Sequence, residues 1–358
     1  MTLLILLVLC IGVPCLQAQT SVSEKRMKYV IEDTSQGLKI EYNGKITLSL
    51  DDRSIKAISD GGYLRIEKTT FGNSRELLIN SRGNDLNYEY REGGRLKPYE
   101  PDGKAWFSDI LPELVKTTPI AAEHRVERLF SKGGVKAVTG ALPDLKGENV
   151  RAAFISYLLK KDIKEEDLTH IIQTVGSVIQ SDVYRYDVFR MMFPAHSKSP
   201  ALLLKAVGML GSDVYRMDLI QPVVQSQILA GQQQQALQLI NTVKSDVYKT
   251  DIAISLDFDK VSDKQLSVLL ESLMTRINSD VYRKDLLMSV LQKNTGDENR
   301  LLILVNSTSN IKSDVYKADF LKDVCLTNPG EKVKARIREA AKSIKSSVYY
   351  GEVIRCLD

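Results

Sequence analysis

The chain has 358 residues, 43% hydrophobic and 26% charged, ordinary values for a folded soluble protein that exclude disordered and collagen-like classes. Its 49 Lys and Arg against 45 Asp and Glu leave a formal charge of +4, too balanced to imply a nucleic-acid or anionic-membrane partner. The three histidines, His124, His170 and His196, are scattered, so no local metal or catalytic cluster follows from them.

Residues 1–18 read as a signal peptide. Residues 3–11 form an apolar run of leader length, followed by Gly12, Pro14 and a polar stretch in which Ala18 suits the cleavage position. A bilayer span needs about 20 apolar residues, so the run is too short for one. The expectation is an exported protein, periplasmic or secreted, with no integral membrane segment after cleavage. Cleavage removes Cys10 and Cys15 and leaves Cys325 and Cys356. Residues 19–36 read as a flexible segment.

Residues 37–100 read as a small antiparallel β domain. Leu38, Ile40 and Tyr42 alternate with Lys39 and Glu41; Ile46, Leu48 and Leu50 alternate with Thr47 and Ser49; Leu86, Tyr88 and Tyr90 alternate with Asn87 and Glu89. That period of two marks half-buried strands. Asn43-Gly44 favours a tight hairpin, and Asp60-Gly61-Gly62, Gly72-Asn73 and Gly93-Gly94 mark further turns. A meander of five or six strands follows, with a core thin enough to lean on what comes next.

Residues 101–134 read as connecting helices. Trp106, Phe107, Ile110, Leu111 and Leu114 make a helical stripe, kinked or interrupted at Pro112. A second helix from about 120 to 131 ends at Gly133-Gly134. Trp106, the only tryptophan, is expected to staple sheet to helices.

Residues 135–358 repeat. Ser181-Asp182-Val183-Tyr184-Arg185 returns from Ser212, Ser245, Ser279 and Ser313, then degenerately from Ser346, at steps of 31, 33, 34, 34 and 33 residues. With each serine numbered zero, position +7 is Val188, Leu219, Ile252, Leu286, Phe320 and Val353, and position +8 is almost as apolar. Tyr at +3 and apolar residues at +11 complete one face of a helix. Position −2 is Ile179, Leu210, Val243, Ile277, Ile311 and Ile344, so another amphipathic helix precedes each serine. Placing zero at Gly147 aligns Val150, Arg151, Phe154, Ile155 and Leu158 as an unmarked earlier copy. The fold class is therefore α+β: an antiparallel β-meander, then an α-α solenoid of about seven hairpins.

In this frame Ser181, Ser212, Ser245, Ser279, Ser313 and Ser346 are N-caps, each hydroxyl expected to accept a first-turn N–H, with the following Asp facing the helix dipole. An acid at +6 (Asp187, Asp218, Asp251, Asp285, Asp319, Glu352) and a base at +4 are expected to pair between neighbours as a ladder. Tyr184, Tyr215, Tyr248, Tyr282, Tyr316 and Tyr349 form either a ligand row or rings packed between hairpins. Cys325 and Cys356 fall at similar heights of adjacent units, which leaves a disulfide or two buried thiols.

The two-helix unit with an acidic turn and Val-Tyr-Arg resembles a HEAT-type repeat, though it is shorter than usual. The stretch from Ser59 to Glu67, the Asp102-Gly103-Lys104-Ala105-Trp106-Phe107 string, Glu123-His124-Arg125-Val126 and Lys132-Gly133-Gly134 resemble poorly characterised exported bacterial proteins. They also resemble the extracytoplasmic tails of antibiotic-sensor-type membrane metallopeptidases. The peptidase HExxH motif is absent, so the resemblance implies no activity. Gly-x-Ser-x-Gly, Walker A, CxxC and dinucleotide fingerprints are absent too, and no catalytic residue, cofactor or metal is assigned. The expected function is a non-enzymatic scaffold for a protein or peptide. A sensory extracytoplasmic module is the alternative, and a hydrolase with an unrecognised site comes third.

Overall fold

A computed structural model describes residues 28–33, 37–196 and 199–357. The expected signal peptide, with Cys10 and Cys15, lies outside them. Among the described residues eight strands precede fifteen α-helices, an α+β chain, and these fall into two compact units divided between Asp167 and Leu168. No described helix is long and apolar enough to cross a membrane.

The first unit is built on a six-stranded antiparallel sheet. Its strands are β1 (Lys28–Asp33), β2 (Leu38–Asn43), β5 (Tyr63–Thr70), β6 (Asn73–Arg82), β7 (Asp85–Glu92) and β8 (Arg95–Lys97), in that spatial order. The sheet begins inside the stretch expected to be flexible, because β1 pairs in full register with β2, from Lys28 opposite Asn43 to Asp33 opposite Leu38. The meander is also interrupted. β3 (Ile46–Leu48) and β4 (Ile55–Ile58) leave it to form their own two-stranded ribbon.

Asn43-Gly44 is consequently an exit from the sheet, not a hairpin. Gly44 sits at φ 90°, and a Cβ there would lie 2.4 Å from Ser59 Oγ, so only glycine fits the close pass. Leu50 does not continue the β3 alternation; it stands 85% exposed near the ribbon tip.

Of the period-two residues that lie in the large sheet, Leu38, Ile40, Tyr42 and Tyr90 are buried, while Leu86 and Tyr88 are only partly so. Ile40, Leu64, Ile66, Leu77 and Ile79 are fully buried. They pack with the residues read as connecting helices, so 101–134 form the second layer of this core. The helix α1 (Lys104–Thr117) supplies Trp106, Phe107, Leu111 and Leu114, and the Trp106 and Tyr90 rings lie 5.9 Å apart. That is the expected staple. Pro112 does not end α1; the helix runs through it, with its flanks Leu111 and Leu114 anchored in the core.

The helix α2 (Ala122–Gly140) breaks at Gly133 and Gly134 and resumes beyond them. Its first half clamps the ribbon. His124 Nδ1 accepts from the Leu48 N–H at 3.3 Å, and Arg128 donates to the Ser49 carbonyl at 3.0 Å and to Asp52 at 2.8 Å. Burial, with the Arg128 charge beside it, holds His124 below its ordinary pKa, which suits a neutral acceptor. The helix α3 (Glu148–Leu158) packs on α2 and closes the unit.

The second unit is helical throughout. It opens with the pair α4 (Glu165–Val178) and α5 (Asp182–His196), then α6 (Pro200–Gly208) and α7 (Asp213–Leu229), and α8 (Gln233–Ile240) and α9 (Asp246–Ile254). Then come α10 (Asp263–Arg276) and α11 (Asp280–Leu291), α12 (Glu298–Ser307) and α13 (Asp314–Cys325), and α14 (Glu331–Ala341) and α15 (Ser347–Arg355). Each second helix from α5 to α15 touches the next second helix, and each first helix from α6 to α14 touches the next first helix.

The 3, 7, 8, 11 stripe is what makes this packing. Every residue at +7 and +11 is buried, as is every residue at −2; at +8 all but Ile354 are. Burying one Leu, Ile or Phe is worth roughly 1.5–3 kcal/mol, so the stripe dominates the unit's stability.

The pair α6–α7 departs from its neighbours. α7 is longer, carries Pro222 inside, and buries Gln227 to 3% exposure with neither amide atom hydrogen-bonded. A buried unpaired amide costs about 1–3 kcal/mol. Gln227→Met, which keeps the volume, is therefore expected to raise the thermal midpoint; an unchanged or lower midpoint would contradict the unpaired-amide assignment.

Candidate functional site

Two features recur on the second helices: a polar seam at their N-termini and a mixed row on their exposed side. The serines do sit at the N-cap positions, with extended backbone at Ser212, Ser245, Ser279, Ser313 and Ser346. None of those five hydroxyls makes a cap bond. The chemistry is available to the chain, because Ser262 makes a full capping box with Gln265 on α10. At the repeat serine it is the backbone N–H, not the hydroxyl, that is engaged, by an acceptor from the preceding unit.

That acceptor is the aspartate at +1 of the preceding unit. Asp182 Oδ2 accepts from the backbone N–H of Gly211 (2.8 Å) and Ser212 (2.7 Å). Asp213 does the same for Lys244 and Ser245, and Asp246 for Asn278 and Ser279. Asp280 serves Lys312 and Ser313, and Asp314 serves Lys345 and Ser346. The other oxygen pairs within the unit: Asp213 Oδ1 lies 2.8 Å from Arg216, and Asp280 Oδ1 2.7 Å from Arg283. One carboxylate thus satisfies two N–H groups of the next unit and one base of its own.

The base at +4 completes the seam from the carbonyl side. Arg185 donates to the carbonyls of Ile179 (2.6 Å) and Gly176 (2.8 Å) in its own unit and to that of Met209 (2.8 Å) in the next. Arg283 likewise reaches Met274 and Asn310. Where lysine stands, its single ammonium reaches across the junction, Lys249 to Arg276 O at 3.0 Å and Lys317 to Ser343 Oγ at 2.9 Å, and Lys249 also lies 3.5 Å from Asp246 of its own unit. Arg151 bonds the Leu145 and Leu142 carbonyls at the same offsets from Gly147 as Arg185 does from Ser181. The ladder expected between +4 and +6 is therefore replaced by one between +1, +4 and backbone. Helix ends expose N–H and C=O groups of fixed position, and these outcompete mobile side chains.

Burial alone would raise the Asp213 carboxyl, but the Ser245 and Lys244 N–H groups and Arg216 outweigh it and hold it below the usual carboxylate range. Asp280 is held low in the same way, burial opposing, Arg283 and the Ser313 and Lys312 N–H groups prevailing. A depressed native pKa contributes stability above the unfolded value of about 3.9 and loses it as pH falls through the native one. Melting midpoints are thus expected to drop steeply below about pH 4. Asp213→Asn with Asp280→Asn should start lower and drop less; an identical pH profile would refute the assignment.

On the exposed side, the tyrosines at +3 are half-buried in all six helices, so the row is neither fully packed away nor free-standing. Beside them the valines at +2 stand out: Val183 is 47% exposed, Val214 and Val247 39%, Val315 37% and Val348 63%. One turn on, Asp187, Asp218 and Asp251 are exposed and unpaired with any described base. Asp319 and Glu352 instead hold Lys322 at 3.2 and 2.8 Å. Sequence reasoning passed over the valines, although a helical wheel places position +2 opposite the apolar stripe and so on the water side.

Cys325 and Cys356 are both free thiols. Cys325 Sγ donates to the Cys356 carbonyl, and Cys356 Sγ to the Val353 carbonyl at 3.1 Å. Burial and the neighbouring Cys325 thiol push the Cys356 thiol up to about 12, leaving little reactive thiolate at neutral pH.

Among the described residues no group of three or more His, Cys, Asp or Glu could hold a metal ion. A cleft of about 740 Å³ in the first unit is lined in part by Lys45, Glu123, Tyr157 and Lys160. Lys45 is paired with Glu123 and Glu127, and Lys160 sits over the Tyr157 ring at 4.5 Å. Comparison with known protein families, curated proteins and solved structures gave no match.

Proposed function

We propose that this chain is an exported, non-enzymatic interaction scaffold, an α-solenoid of HEAT-like hairpins that binds a protein or peptide along its second helices. The observation that carries the reading is the repeated Val-Tyr-acid row, apolar area left in water on consecutive helices that touch one another. A solenoid multiplies one small contact along an extended surface, so a row of individually weak sites becomes a useful one. The recurring +1 and +4 seam supports the same reading, since it fixes the spacing between units.

The test compares the secreted form with a Val183→Ser, Val214→Ser, Val247→Ser variant in capture from envelope extract and against peptide arrays. The reading expects ligands whose retention is lost in the variant while its melting midpoint is kept. Equal retention by both proteins would move the binding surface elsewhere, and no ligand in either assay would remove the reading.

A further inference from the structure

We infer that the occupant of this row is an extended basic peptide whose cationic side chains recur every third residue, held by Asp187, Asp218 and Asp251. The inference rests on the scaffold reading and specifies its partner. Neighbouring packed helices lie about 8–10 Å apart. A polyproline chain advances about 3.1 Å per residue with three residues per turn, so every third side chain returns to the same face after about 9 Å. A two-residue period falls short of that spacing and a four-residue period overshoots it. A helical ligand, rising about 1.5 Å per residue, would need about six residues per unit and would turn its side chains away between them.

Charge selects the sign and the place. On α5, α7 and α9 the acids at +6 are exposed and take no partner among the described residues, whereas Lys322 already occupies Asp319 and Glu352 on α13 and α15. The bases of the same three helices are committed elsewhere. Arg185, Arg216 and Lys249 are tied into carbonyls of the seam, and Arg190 lies over the Tyr186 ring at 5.7 Å. One turn before each acid stand an exposed valine and a half-buried tyrosine. The valines offer an apolar floor for a Lys or Arg stem, while the Tyr215 ring is already stacked on Tyr186 at 5.0 Å.

The probe is a labelled, end-capped dodecapeptide of four Lys-Pro-Pro triplets, titrated by anisotropy into the full secreted chain. Its controls are the same composition with the lysines contiguous, and Glu-Pro-Pro and Ser-Pro-Pro versions. The inference expects the triplet peptide to bind about tenfold more tightly than the contiguous one, as several exposed ion pairs held in register would give. That preference should vanish in Asp187→Asn, Asp218→Asn, Asp251→Asn with the melting midpoint unchanged, and salt should weaken the binding. Equal affinity for the two lysine peptides, or binding untouched by the triple substitution, overturns it. Binding of the Ser-Pro-Pro or Glu-Pro-Pro peptide alone, lost in the valine variant, overturns the basic partner and leaves the scaffold reading standing. If none of the four peptides binds and no arrayed ligand depends on the valines, both fall.

Discussion

Asp280→Ala is expected to destabilise the helical unit by about 3 kcal/mol, and Ser279→Ala, one residue earlier, by under about 0.5 kcal/mol. The serine has the sequence signature of a cap, yet its hydroxyl caps nothing, so its removal takes away no bond. Removing the aspartate strands the N–H groups of Lys312 and Ser313 and leaves Arg283, 9% exposed, short of its counter-ion. Hydrogen bonds to a charged group are worth about 1.5–3 kcal/mol each, and unpairing a buried charge costs about 3–5 kcal/mol, so partial relaxation still leaves a large loss. Urea denaturation of both variants decides it, together with amide exchange at residues 312 and 313, which should accelerate in Asp280→Ala alone. A larger loss in Ser279→Ala than in Asp280→Ala would restore the hydroxyl cap and refute the inter-unit bond.

Arg300→Met is expected to cost a similar amount, about 3 kcal/mol, although the residue lies in no repeated motif. Arg300 on α12 is 8% exposed and donates to the carbonyls of Phe258 (3.0 Å) and Val261 (2.7 Å) and to Asn294 Oδ1 (3.0 Å). It ties the turn before α10 to the next unit's first helix, a junction 42 residues apart in sequence. Methionine fills the space but leaves those acceptors dry and unpaired. Arg300→Lys should recover only part of the loss, since one ammonium cannot match a guanidinium's spread of donors. Full stability in Arg300→Met, measured by the same urea titration, would mean water serves the acceptors as well.

Much of the chain was legible beforehand because hydrophobic periodicity reports burial directly. The stripe at +7 and +11 and the apolar residue at −2 named the buried faces of the helices, and the alternation of Leu38, Ile40 and Tyr42 did the same in the sheet. The β ribbon was misread for a physical reason. Ile46 and Leu48 alternate as any strand does, but alternation does not say which strand is the partner, and Gly44 turns the chain out of the meander. The segment before Leu38 gave no period to read, yet β1 pairs there through backbone groups that every sequence carries.

The sequence alone determined the unit: its length, its two helices, the apolar stripe that packs them and the places of Asp and Arg in each copy. These are properties of one helix and its spacing, and the 3.6-residue turn converts them into positions without further information. Which groups those side chains meet was decided only by tertiary structure. The Asp182 carboxylate selects Gly211 and Ser212, some 30 residues away, because packing of α5 against α7 brings two unpaired N–H groups to it. The same packing leaves Val183, Val214 and Val247 in water beside acids that have no partner among the described residues. A wheel drawn for one helix cannot show a neighbour's backbone, so the seam was not visible until the helices were laid side by side.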